Sequence, residues 1–108
     1  MSDTAAALKA ILLEKSVRTG TFTLASGAQS DLYIDCRVTA LDPFGANLIG
    51  KLGWAAVREK IRAEGLKIAS IGGMTLGADP ISLAVGMTSA VANPDEALQV
   101  FTLSLIHI

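Results

Sequence analysis

A single cysteine, Cys36, rules out an internal disulfide and suits a reducing compartment. Aromatic residues make up only 5% of the chain against 51% hydrophobic residues, so the core must be aliphatic and alanine-rich, as in α/β proteins. Charge of neither sign dominates: the net value of −1 leaves no basic field for nucleic acid and no acidic tail that would favour disorder. No apolar run reaches the length of a membrane span, and Met1–Thr4 places no basic residue before the apolar part, so a signal peptide is not expected. These absences predict a cytoplasmic protein without nucleic-acid or membrane partners. There is no internal repeat and no low-complexity linker, and 108 residues amount to one domain or part of one.

What is present centres on Ile68–Met87, IASIGGMTLGADPISLAVGM. Ile68–Ile71 reads as a buried strand, Gly72–Pro80 as a glycine-bearing loop, and the apolar stretch beyond as a helix. Asp79 is the expected N-cap and Pro80 the expected first helical residue. Strand, glycine loop and helix place backbone N–H groups and a helix N-terminus around an anion. Gly72, Gly73 and Gly77 permit positive φ or a ligand's close approach. The loop matches neither G-x-G-x-x-G nor G-x-x-x-x-G-K-[ST], so it is neither a dinucleotide fingerprint nor a P-loop, and a plain β-to-α connection explains the local pattern equally well.

Along the chain, Asp3 or Thr4 should cap a helix running to about Val17, with Leu8, Ile11 and Leu12 as its apolar stripe and Arg18 and Gly20 at its end. Thr21–Leu24 reads as a strand, Ala25–Ser30 as a turn around Gly27, and Leu32–Val38 as a second strand. Its alternation puts Leu32, Ile34 and Cys36 on one face and Tyr33, Asp35 and Arg37 on the other. Cys36 is then a small core residue, and a solvated strand face accounts for Asp35 and Arg37. Asp42 and Pro43 start a long helix whose stripe is Phe44, Leu48, Leu52, Ala55 or Ala56, Val57 and Ile61; Trp54 packs, and Gly65 ends it. Asn93-Pro94-Asp95 breaks the chain before a strand at Leu98–Thr102, which makes a parallel crossover.

Two stretches together, Ser16–Arg37 (SVRTGTFTLASGAQSDLYIDCR) and Ile71–Ile81 (IGGMTLGADPI), resemble the orotate phosphoribosyltransferases, in the form of a GGxTLGADP branch. Leu41–Gly53 is similar to the helix joining them. The resemblance implies an α/β fold: an N-terminal helix and hairpin, then the first part of a parallel-sheet type I phosphoribosyltransferase core, truncated, over residues 1–102. It implies transfer of ribose 5-phosphate from phosphoribosyl diphosphate to orotate in pyrimidine synthesis, with Mg²⁺ carried on the substrate's oxygens. Tyr33 and Ile34 would line the orotate pocket, and Gly72, Gly73, Met74, Thr75, Leu76 and Gly77 would form the diphosphate loop, with a cis peptide between Met74 and Thr75. Many family members carry lysine at the positions of Ala25 and Leu76, which this chain does not. The mobile-loop cations and the acidic ribose-phosphate motif of the family are missing too, so the resemblance places no catalytic residue and no metal ligand here, and an active homodimer is expected only of a longer form.

The last six residues, LSLIHI (103–108), match a translation of a transposon end ligated in some sequencing libraries. They read as a non-native tail, which makes the sole histidine, His107, incidental. The competing readings are a stand-alone anion- or nucleotide-binding βαβ module and a purine-type phosphoribosyltransferase fragment; the hairpin with Tyr33 argues against the second.

Overall fold

The computed structural model describes residues 2–104. The Ser2 hydroxyl accepts from the Ala5 N–H at 3.1 Å and caps α1, Asp3–Ile11, one residue before the expected cap. Asp3 then sits in the first turn, where the helix dipole favours a carboxylate. α1 runs into a π-turn, Leu12–Ser16, closed by the Val17 N–H donating to the Leu12 carbonyl. The expected helix to Val17 is therefore too long. Val17, Arg18 and Gly20 belong to β1, Val17–Thr23, because Val17 faces Ile34 and opens an antiparallel ladder. Val17 and the threonines that alternate after it favour that extended backbone. Gly20, at φ 147°, sits where the register shifts between Thr19 and Phe22, a β-bulge that glycine accommodates.

The turn around Gly27 (φ 88°) is as expected and leads into β2, Gln29–Ile34. β2 stops four residues short of the predicted Val38. The Asp35 carboxylate accepts from the Arg37 N–H at 3.1 Å and caps a short helix, α2, Cys36–Ala40. A capping carboxylate competes with the ladder for the backbone and wins here. Cys36 is consequently an exposed helix residue and not part of a strand core. The alternation of faces ends at Ile34.

α3, Pro43–Glu64, has the predicted boundaries: Asp42 Oδ2 accepts from the Gly45 N–H at 2.9 Å, and Gly65 ends it in the left-handed conformation at φ 61°. The buried face differs from the expected stripe. Gly45, Gly50 and Trp54 are buried, whereas Phe44 is 74% exposed and Ala55 and Ala56 lie outside; Leu48, Leu52, Val57 and Ile61 are half-buried. Small residues turn the glycine side of α3 toward its neighbour. A Cβ on Gly50 would come 2.5 Å from the Ala84 carbonyl oxygen, so the axes cross closely there.

That neighbour is α4, Asp79–Ala92, which connects two parallel strands, β3 (Ser70–Met74) and β4 (Gln99–Leu103), in register Ser70↔Gln99 to Met74↔Leu103. β3 starts two residues later than predicted and takes Gly72 and Gly73 into the ladder. Both ladder glycines have negative φ, and Gly72 serves close approach: an added Cβ would stand 2.5 Å from Cδ2 of Phe101. β1 and β2 form a separate two-stranded sheet.

The buried cluster lies between α3, α4 and the approach to β4: Trp54, Val85 and Leu98, with Val57 and Ile71 packed against it. Trp54 packs as expected, and its Nε1–H donates to Asn93 Oδ1 at 2.9 Å. Ser89, fully buried, donates to the Gly86 carbonyl at 2.6 Å and accepts from the Leu98 N–H at 2.9 Å, which fastens the returning chain to α4. A second polar clasp fixes the N-terminus: Ser16 Oγ and Thr39 Oγ1, both buried, lie 2.5 Å apart, and Lys15 Nζ is 3.2 Å from Asp42 Oδ1. Leu103 completes β4 beside Met74, while residues 105–108 of the tail, His107 included, lie outside the described residues.

Candidate functional site

Two walls carry the residues singled out by sequence. The first is the end of β2 with α2. Tyr33 is 42% exposed, its ring 5.5 Å from that of Phe22 at an interplanar angle of 35°, and Ile34 beside it is 53% exposed. An aromatic face held by a neighbouring ring and still open to solvent is a platform on which a planar group can stack.

Arg37 then projects from the first turn of α2. Its Nε and Nη2 donate to the Asp35 carboxylate at 3.2 and 3.3 Å. That hydrogen-bonded pairing holds the Asp35 carboxyl below its ordinary range and raises the guanidinium further.

The second wall is the turn between β3 and α4. Gly72, Gly73 and Met74 are strand residues, and Thr75, Leu76, Gly77 and Ala78 make the turn. The cis peptide lies between Thr75 and Leu76, one bond after the predicted Met74–Thr75. The reason is the ladder, which continues through the Thr75 N–H donating to the Leu103 carbonyl at 2.8 Å and leaves the chain to turn only beyond it. A Cβ on Gly77 would meet nothing within 4 Å, so its backbone faces open space.

Asp79, predicted as N-cap, is instead the first helical residue. The cap is Ala78, which supplies no side-chain hydrogen bond, and Asp79 Oδ1 is buried without a hydrogen-bond partner among the described residues.

A cavity of about 450 Å³ separates α2 from this turn, lined by Arg37, Leu41, Leu76, Asp79, Pro80 and Leu83. The structure thus brings the glycine turn, through Leu76, together with Arg37. Tyr33 and Ile34 do not line that cavity. Sequence reasoning missed Arg37, which the extended alternation placed on a solvated strand face. The available signal was Asp35 two residues ahead of it, a helix-capping spacing. No three His, Cys, Asp or Glu side chains converge among the described residues, and none of their helices is long and apolar enough to cross a membrane.

No protein-family model matches the chain. The orotate phosphoribosyltransferase of Rhodopirellula baltica is 40% identical over 80 residues, which cover 74% of this chain and 42% of that protein. Among solved structures, the Mycobacterium tuberculosis orotate phosphoribosyltransferase in complex with inorganic phosphate gives a TM-score of 0.72 at 30% identity, covering 97% of this chain and 56% of that one. The same enzyme in complex with 5-phospho-α-D-ribosyl 1-diphosphate gives 0.67 at 29% identity, over 94% and 53%. The chain spans about half the length of the relatives it matches. With a helix and hairpin leading into a β-α-β crossover of type I phosphoribosyltransferase form, and with relatives that agree in sequence and structure, the chain belongs to the orotate phosphoribosyltransferase family.

Proposed function

We propose that this chain is the N-terminal share, residues 1–102, of an enzyme that transfers ribose 5-phosphate from phosphoribosyl diphosphate to orotate. The bond from ribose C1 to the diphosphate oxygen breaks, diphosphate leaves with the electron pair, and N1 of orotate, losing its proton, bonds to C1. Positive charge develops at C1, so the site must hold a polyanion on one side and a planar acid on the other. In this reading Gly72–Gly77 present the leaving diphosphate with a turn whose backbone is open at Gly77, and the first turn of α4 lies beside it. Tyr33 and Ile34 form the orotate side, with the Tyr33 ring as stacking surface. Mg²⁺, bound through the substrate's own oxygens, would supply neutralising positive charge to the diphosphate. The observation that carries the reading is the agreement of sequence relatives and solved structures on one enzyme.

The functional form is a homodimer of the longer chain. The protein read through its natural downstream codons should release diphosphate in an orotate-dependent reaction and yield orotidine 5′-monophosphate. The 108-residue chain should release none above a no-protein control, because grouped catalytic residues are not recovered piecemeal. Release with a purine base in place of orotate, or none from the longer protein, overturns the assignment. Orotate-dependent release by the 108-residue chain overturns the placement of catalysis outside it.

A further inference from the structure

We infer that Arg37 binds the diphosphate group from across the cavity and supplies the cation that the glycine turn lacks. This rests on the reading of Gly72–Gly77 as the diphosphate loop. From Gly72 to Pro80 the sequence contains no lysine or arginine, and its one charged residue is the acid Asp79. Backbone N–H groups and a helix N-terminus attract an anion, but a carboxylate at the same helix end competes with it.

Among the described residues, Arg37 is the one basic residue lining the cavity that has Leu76, Asp79 and Pro80 on its other side. With Arg37 in place the lining carries one charge of each sign; without it only the carboxylate remains to meet a polyanion. The guanidinium has donors to spare. It offers five N–H groups in a planar fork, and Asp35 engages Nε and Nη2, which leaves others for phosphate oxygens. Its side chain is 66% exposed, so no packing blocks a ligand, while the first turn of α2 holds its base at the wall. The anion it meets is diphosphate and not the acid of the planar base, since Tyr33 and Ile34 lie outside this lining.

The test is calorimetric titration with inorganic diphosphate and magnesium chloride on the protein read through its natural downstream codons, with thermal melts as a check on folding. Arg37→Gln should weaken binding about tenfold or more, the loss of a charge-assisted hydrogen bond. Arg37→Lys should fall between, keeping the charge and losing the fork. Asp35→Asn keeps a capping side chain and frees the guanidinium, so it should bind diphosphate at least as tightly as the parent.

Affinity of Arg37→Gln within about twofold of the parent overturns the inference, and so does a parent that binds no diphosphate. Equal weakening in Arg37→Gln and Asp35→Asn also overturns it, because Arg37 would then act only by holding Asp35. Should Arg37→Gln fail to fold, Arg37→Lys decides: binding weakened by more than about twofold supports the inference, and affinity within about twofold of the parent overturns it. A parent that binds diphosphate through Arg37 yet transfers nothing to orotate sinks the proposed function and leaves this inference standing.

Discussion

Ser89→Ala tests whether the crossover is fastened to α4 by a hydroxyl. Ser89 is fully buried and its oxygen serves both the Gly86 carbonyl at 2.6 Å and the Leu98 N–H at 2.9 Å. Alanine leaves the Leu98 N–H buried without an acceptor, at a cost of about 1–3 kcal/mol, and removes a second bond contributing about 0.5–1.5 kcal/mol. A loss near 2 kcal/mol is a large share of the roughly 5–15 kcal/mol typical of a domain. Trp54, the sole tryptophan, packs against Leu98 and reports on this region directly. Urea titration followed by its emission should show a midpoint lower by about 1 M, taking a slope of about 2 kcal/mol per M. Ser26→Ala, in the exposed hairpin turn, is the control and should change stability by less than about 0.5 kcal/mol. If the two variants have the same midpoint, the Leu98 N–H does not depend on Ser89 and the reasoning fails.

Three further outcomes are expected. Gly50→Ala should push α3 from α4, because the new methyl would meet the Ala84 carbonyl at 2.5 Å as well as the Thr88 hydroxyl; a thermal melt should register a loss of about 1–3 kcal/mol, and an unchanged melt contradicts the close crossing. The Gly45 N–H, and then Lys15, hold the Asp42 carboxyl below its ordinary value. Its contribution is therefore full above the unfolded value of about 3.9 and disappears as pH falls through the lower folded value. Asp42→Asn should flatten the acid side of a melting-temperature profile, and a profile of unchanged shape speaks against the cap as its source. Leu41, Phe44, Leu76 and Val91 are each more than 70% exposed, so the 108-residue chain alone should bind an apolar dye and elute ahead of a monomer in size-exclusion chromatography. A sharp monomer peak without dye binding would show a self-sufficient module.

The elements legible in the sequence are those fixed by local chemistry. Asp42-Pro43 and Gly65 bound α3 because a capping carboxylate, a first-turn proline and a left-handed glycine act within one turn of their own positions. The parallel crossover was legible for the same reason. The misread boundaries depend on distant partners. The helix from Asp3 stops short of Val17 because Val17 pairs with Ile34, which no local pattern encodes. β2 ends at Ile34 although the alternation runs on to Arg37, since the Asp35 carboxylate caps a helix there. Phe44 keeps helical spacing but faces outward because glycines, invisible to a hydrophobic stripe, make the contact with α4. The candidate site divides similarly: the glycine turn is plain in the sequence, while Arg37 comes to share a cavity with it only where α2 folds opposite that turn.

The π-turn at Leu12–Ser16 has a consequence for how the two walls are set relative to each other. An α-helix turns about 100° per residue, so the extra residue in a wide turn resets the angular phase of everything attached beyond it. Ser16, at the end of that turn, receives the Asp35 N–H on its carbonyl and meets Thr39 with its hydroxyl, while Lys15 reaches Asp42. The N-terminal helix therefore acts as a gauge for the hairpin. Deleting one residue between Leu12 and Ser16 would restore a continuous α-helix and swing the root of β1 by about 100° relative to α1, turning the Tyr33 platform with it while leaving every residue of both walls unchanged.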